Sequence, residues 1–159
     1  MDIWQMTKWK KYYDKHPCRK GLRLHYDKSI HPEVKRAVNE YIKWLRTKYL
    51  FPKRVCIYVR SKKQIRARDG DFVSDIFFWP YNREDEPYIN IATGNFEHQI
   101  IQRGKDDALA SILFAVSANL THYYRWLNDI QLTPTGEVRQ ATKYARMRLD
   151  EYAETRDHP

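Results

Sequence analysis

The sequence predicts a single α+β domain, and three observations carry that expectation. Apolar residues recur at helical spacing over residues 33–49, 105–127 and 138–152. Between the first two of these segments lie three runs rich in β-branched and aromatic residues, each bounded by turn-forming clusters. No repeat, low-complexity tract or Gly/Ser linker marks a boundary, and 159 residues suffice to bury a core without disulfides or metal staples.

Residues 1–30, with the stretch WKKYYDKHPCRKGLRLHYDK, mix Trp and Tyr with Lys and Arg and read as a basic aromatic N-terminal arm ahead of a domain over residues 31–159. Such an arm either packs its rings on the domain or stacks them on bases while its cations meet phosphates. The first helix follows. Pro32 suits a first turn that has no use for its missing N–H, and Glu33 suits the positive end of the helix dipole. Val34, Val38, Tyr41, Leu45 and Tyr49 form its apolar stripe, and Pro52 marks its end.

The period then changes. Residues 55–61 (VCIYVRS), 71–81 (DFVSDIFFWPY) and 87–93 (PYINIAT) read as strands, separated by Asp69-Gly70, by residues 82–86 and by Gly94-Asn95. The basic link KKQIRARDG between the first two is either a short strand or a loop. Asp71 and Asp75, four residues apart, are expected on one face of the second strand, solvated or salt-bridged.

The helix over residues 105–127 carries Asp106 and Asp107 at its start. It shows two uncharged stripes: Leu109, Ile112, Leu113, Val116, Leu120, Tyr123 and Leu127 on one side, and the smaller Ser111, Ala115, Ala118 and His122 on the other. Uncharged on both sides, it is expected to be buried on both. A last helix presents Val138, Ala141, Ala145, Leu149 and Tyr152.

Charge is uneven along the chain. Residues 1–70 hold 20 Lys and Arg against 6 Asp and Glu, a balance of +14; residues 71–159 hold 9 against 14, a balance of −5, and the whole is +9. A basic first half attracts phosphate backbones or an acidic protein, in a salt-dependent way. The candidate phosphate contacts are Lys43, Arg46, Lys53, Arg54, Lys62, Lys63, Arg66 and Arg68. Cys18 and Cys56 are too few for a disulfide framework, and the N-terminus has no signal-peptide pattern, which points to a reducing, cytoplasmic setting. The longest uncharged run, about 17 residues over 108–124, contains Ser, Asn, Thr and His and reads as a buried helix, so no membrane partner is expected.

The run ALASILFAVSANLTHYYRWLND carries the chemistry. A zinc hydrolase motif places two histidines at i and i+4 on one helix face, so that both bind one Zn²⁺, with a glutamate beside the first to deprotonate the metal-bound water. Ending at His122, that frame requires His at position 118 and Glu at 119; the chain has Ala118 and Asn119. Alanine cannot ligate, and an amide cannot accept a proton near neutral pH. His122 is then either the retained second ligand or a core histidine bonded to a neighbour.

With the following GEVRQATKYARMRLDEYA, this run resembles the active-site helix and next helix of small bacterial zincin-like proteins, loosely related to SprT-like and ImmA/IrrE-like metallopeptidases. The flanks match at Ile112-Leu113, Leu120-Thr121-His122-Tyr123 and Trp126. The resemblance implies a minimal zincin layout: an N-terminal helix, a three- to four-stranded sheet, a buried motif helix and a C-terminal helix. It also implies a third ligand from the acidic helix, where Glu137 stands, and a sheet edge near the site, expected at Tyr88–Ala92, on which a peptide lies extended. Ala118 and Asn119 depart from the motif at the first ligand and the general base. The resemblance therefore points to a catalytically inactive scaffold that acts by binding and needs no cofactor. Two alternatives stand beside it: a zinc metallopeptidase using His122 and Glu137, or an inactivated variant of one, and an interaction module of a mobile element working through exposed N-terminal Tyr and Trp residues.

Overall fold

The computed structural model describes residues 2–6, 8–16 and 18–156. In chain order its elements are α1 (Lys10–Lys15), β1 (Leu22–Tyr26), α2 (Pro32–Lys48), β2 (Val55–Arg60), β3 (Ile65–Arg66), β4 (Phe72–Val73), β5 (Asp75–Phe78), β6 (Tyr88–Ala92), α3 (Phe96–Arg103), α4 (Lys105–Leu127) and α5 (Pro134–Glu154). The architecture is α+β, as the pattern predicts. No helix among the described residues is long and apolar enough to cross a membrane.

The helices begin where their local chemistry permits. His31 caps α2, its Nδ1 accepting from the Glu33 N–H at 3.1 Å, and Pro32 occupies the first turn. Thr133 caps α5 through the Gly136 N–H at 3.0 Å, with Pro134 next. Gly104 separates α3 from α4 with φ near 85°, a left-handed conformation that favours glycine. The α2 stripe is buried as expected, whereas on α5 Val138 is exposed and the buried face is made by Ala141, Tyr144, Ala145, Arg148 and Tyr152.

Four strands form a mixed sheet in the order β1-β2-β6-β5, and β3 and β4 form a separate hairpin. β1, β2 and β6 run parallel, and β5 runs antiparallel to β6. Alternation along the strands gives the sheet two unlike faces. Val55, Ile57, Val59, Ile89 and Ile91 are fully buried under α2 and α4, while Arg23, His25, Tyr58, Arg60 and Tyr88 point the other way and stay partly or largely exposed.

Of the two readings of the N-terminal arm, the one that packs its rings on the domain fits: Ile3, Trp4 and Tyr13 are buried, Trp9 and Tyr12 are half-buried, and Leu22–Tyr26 adds a strand to the sheet, which removes most of the ring surface that an interaction arm would expose. Two sequence expectations are corrected by this topology. The run 71–81 is not one strand. Ser74 separates β4 and β5, which belong to different sheets, so Asp71 and Asp75 do not share a face. Tyr88–Ala92 is not an edge, because β6 is paired on both sides, with β2 and with β5; the edges are β1 and β5, and β5 is the one that lines the cleft with His122.

Candidate functional site

α4 positions the site because its polar residues are bound to different parts of the fold. The Ser117 hydroxyl pairs with Tyr41 of α2. Thr121 Oγ1 accepts from Trp4 Nε1 at 3.0 Å and donates to the Ser117 carbonyl at 2.9 Å. Tyr123 and Tyr124 donate to the carbonyls of Lys53 and Leu50. These bonds satisfy groups that would otherwise be buried without partners, each omission costing about 1–3 kcal/mol, and they fix which way the remaining α4 side chains face.

The second stripe, Ser111, Ala115, Ala118 and His122, is half-buried and lines a groove between α4 and the edge strand β5. The stripe is therefore less buried than the sequence predicts; at its start Ser111 accepts from Arg103 of α3 at 2.8 Å. Two cavities lie along this groove. One of about 390 Å³ runs past Ala108, Ala115 and Ala118. The other, about 450 Å³, is lined by Phe77, Trp79, Asn119, His122, Arg125, Trp126 and Glu137, among others. Asp75 borders both.

Asp75, which the sequence places only on a strand face, belongs to the site. Asn119 Nδ2 donates to Asp75 Oδ1 at 2.7 Å and to the Ala115 carbonyl at 2.8 Å, so both amide hydrogens are engaged. The position where the resemblance would place a general base thus holds a donor that ties α4 to β5. We predict that Asn119→Asp lowers stability by about 1–3 kcal/mol at neutral pH by setting two carboxylates against each other. Urea denaturation at pH 7 and pH 4 should show the loss shrinking in acid, where one carboxyl is protonated.

His122 sits at the cleft floor with Nδ1 buried and without a hydrogen-bond partner among the described residues. Burial, and secondarily the Arg125 cation, push its pKa down to about 4, so the imidazole is neutral at pH 7. Arg125 is paired with Glu137 at 3.5 Å through Nη2, while its Nη1 is buried and unpartnered among the described residues. Arg83 reaches in from the loop after β5, donating to the Trp126 carbonyl at 2.8 Å and pairing with Asp129 at 3.0 Å, with its guanidinium 5.1 Å from the Trp126 ring centre.

The residues present do not fit the zinc that the resemblance implies. Both proposed ligands, His122 and Glu137, line the same cleft, but Glu137 is held by Arg125, Asp75 is held by Asn119, and two guanidinium groups, those of Arg83 and Arg125, line that cleft as well. Among the described residues no three His, Cys, Asp or Glu side chains converge on one point.

The eight candidate phosphate contacts do not form one surface. Lys53 is fully buried, its Nζ donating to the Glu84 carbonyl and lying 5.4 Å from the Tyr13 ring centre. Arg46 donates to the Leu22 carbonyl, and Arg54 lies 4.0 Å from Glu86. Lys43 is exposed on α2, whereas Lys62, Lys63, Arg66 and Arg68 lie beyond the opposite end of β2 from Arg54, about 17 Å away along the strand. No family model, curated protein or solved structure matches the chain.

Proposed function

We propose that the protein is a zincin-like domain that binds without hydrolysing, holding an extended, carboxylate-bearing segment of an acidic protein in the groove between α4 and β5. The observation that carries this reading is the buried Nη1 of Arg125, unpartnered among the described residues, in a cleft where the general-base position is an amide whose donors are already engaged. A buried guanidinium donor with no acceptor is costly unless a ligand supplies one, and a carboxylate does so best.

The β5 edge supports an extended partner. The Ala92 N–H donates to the Ser74 carbonyl at 2.8 Å, and this sets the phase of the β5–β6 ladder: Ser74, Ile76 and Phe78 turn their backbone groups toward β6. Asp75 and Phe77 therefore turn theirs outward, along the cleft, where a peptide strand can pair with them. This moves the peptide track from Tyr88–Ala92 to Asp75–Phe78.

Fluorescence polarisation with labelled extended peptides tests the reading. Peptides with Asp or Glu should bind more tightly than their Asn or Gln counterparts, and Arg125→Gln should weaken the acidic ones by about 10–100-fold. Equal binding of acidic and amide peptides, or zinc-dependent peptide cleavage lost in His122→Ala, would overturn it.

A further inference from the structure

The face of the sheet turned away from α2 and α4 carries a row of rings in contact, two stacked pairs joined by an edge-on contact. His25 of β1 lies over Tyr58 of β2 with ring centres 4.9 Å apart and 17° between planes. Tyr58 meets Tyr88 of β6 edge-on at 5.9 Å, and Tyr88 stacks on Phe78 of β5 at 4.8 Å and 20°. The register explains the row: His25 is paired with Tyr58 and Tyr88 with Phe78, so strand pairing itself brings the rings together on one face. Phe78 is the buried member of the row, while His25 is exposed and Tyr88 keeps 38% of its surface open.

Guanidinium groups accompany the rings. Arg60 lies 4.8 Å from the Tyr58 ring centre. At the far end, Arg68 lies 5.8, 5.2 and 5.4 Å from Phe78, Trp79 and Tyr81, and Tyr81 is 92% exposed. Arg23, exposed in the same row of positions as Tyr88, has no hydrogen bond or ion pair among the described residues. Two of the acidic groups nearby are already used, Asp27 by Arg60 at 3.4 Å and Glu86 by Arg19 at 3.4 Å, whereas Arg23 has no carboxylate partner among the described residues.

We propose that this open sheet face binds single-stranded nucleic acid, with bases packing against the exposed parts of the His25, Tyr58 and Tyr88 ring row and phosphates meeting Arg23 and Arg68. Flat rings with flanking cations suit a ligand that alternates flat bases with anionic phosphates, and a sheet that presents aromatic residues on an uncovered face is a recurrent platform for unpaired bases. A duplex hides its bases and offers only charge. The surface goes beyond the groove reading: it lies on the other face of the sheet, and its ligand is of a different class.

Fluorescence anisotropy with labelled oligothymidylate and oligouridylate of about twelve nucleotides tests this, with polyphosphate as an anion that has no bases. Both single strands are expected to bind, and the ratio of the two affinities distinguishes DNA from RNA as the preferred source. The double substitution Tyr58→Ala/Tyr88→Ala should weaken oligonucleotide binding at least about tenfold and leave polyphosphate binding unchanged. Tyr58→Phe/Tyr88→Phe, which keeps the rings, should retain affinity and so separates stacking from loss of fold. Arg23→Gln and Arg68→Gln should each reduce the salt slope by about 0.7. The acidic peptide that occupies the groove should not compete. Failure of either oligonucleotide to bind more tightly than about 100 µM at low salt, or full binding by the double alanine variant, would overturn the proposal. A protein partner captured on this face with no oligonucleotide bound would do the same.

Discussion

Trp4→Ala is expected to lower the unfolding free energy by about 3–5 kcal/mol, the range for a large aromatic removed from a packed core. The ring is 2% exposed. Its Nε1 donates to Thr121 Oγ1 at 3.0 Å, and it packs against Tyr49 and Tyr124 with ring centres 5.2 and 5.0 Å away. It also forms one wall around the buried Arg148, whose guanidinium lies 5.0 Å from Trp4 and 4.6 Å from Tyr49 and pairs with Asp2 and Glu151. Removing the ring opens a cavity beside a charge that depends on its surroundings for compensation. Trp4→Phe, which keeps most of the packing and loses one hydrogen bond, should cost far less. Urea denaturation measures both. A loss below about 1 kcal/mol for Trp4→Ala would mean that the first residues do not belong to the core.

The second large effect is a loss of stability in acid that belongs to His122. Its folded pKa of about 4 lies below the ordinary 6.5, because burial, reinforced by Arg125, disfavours the imidazolium. The unfolded chain therefore takes up a proton at higher pH than the folded one. Stability contributed by the neutral ring is complete above pH 6.5, declines as pH falls, and is lost by about pH 4. The total is about 3 kcal/mol. His122→Gln lacks the titration, so the stability difference between it and the parent should change by about that amount between pH 7 and pH 4, while carboxylates common to both cancel. A constant difference across the range would mean that the imidazole is solvated or paired.

Local pattern predicts α2, α4 and α5 because each carries a 3.6-residue period across four or more turns, and it predicts β2 and β6 because Val, Ile and Tyr cluster between turn residues. It loses β1 for a compositional reason. Leu22, Leu24 and Tyr26 alternate as a half-buried strand should, but Arg23 and His25 between them blend into the surrounding basic residues. α3 carried a usable signal in the glycine that ends it, Gly104. The order of strands, and with it the identity of the edge, depends on contacts between residues tens of positions apart, so neither the exposed edge at β5 nor the ring row across the sheet is visible in any window.

The candidate site divides in the same way. The alignment of Asn119 and His122 on one face follows from helical geometry alone, and the cleft contains both. Asp75, 44 positions from Asn119, enters only through folding. Charge counting errs at Lys53 for a related reason: net charge treats every cation as solvated, and here a carbonyl and a tyrosine ring take the place of water.

The bonds along α4 have a consequence for motion. Residues 117, 119, 121, 123, 124 and 128 are each fastened to a different backbone or side chain, in α2, in β5, in the N-terminal segment and in the turn after α2. Rolling the helix about its axis, or sliding it by a turn, would break nearly all of these at once. The helix behaves as a fixed spindle. A groove whose floor cannot turn can widen or narrow only from its rim, where residues 79–87 are tied to the end of α4 through Arg83 and to the rest of the fold through Lys53 at the Glu84 carbonyl and Arg19 at Glu86.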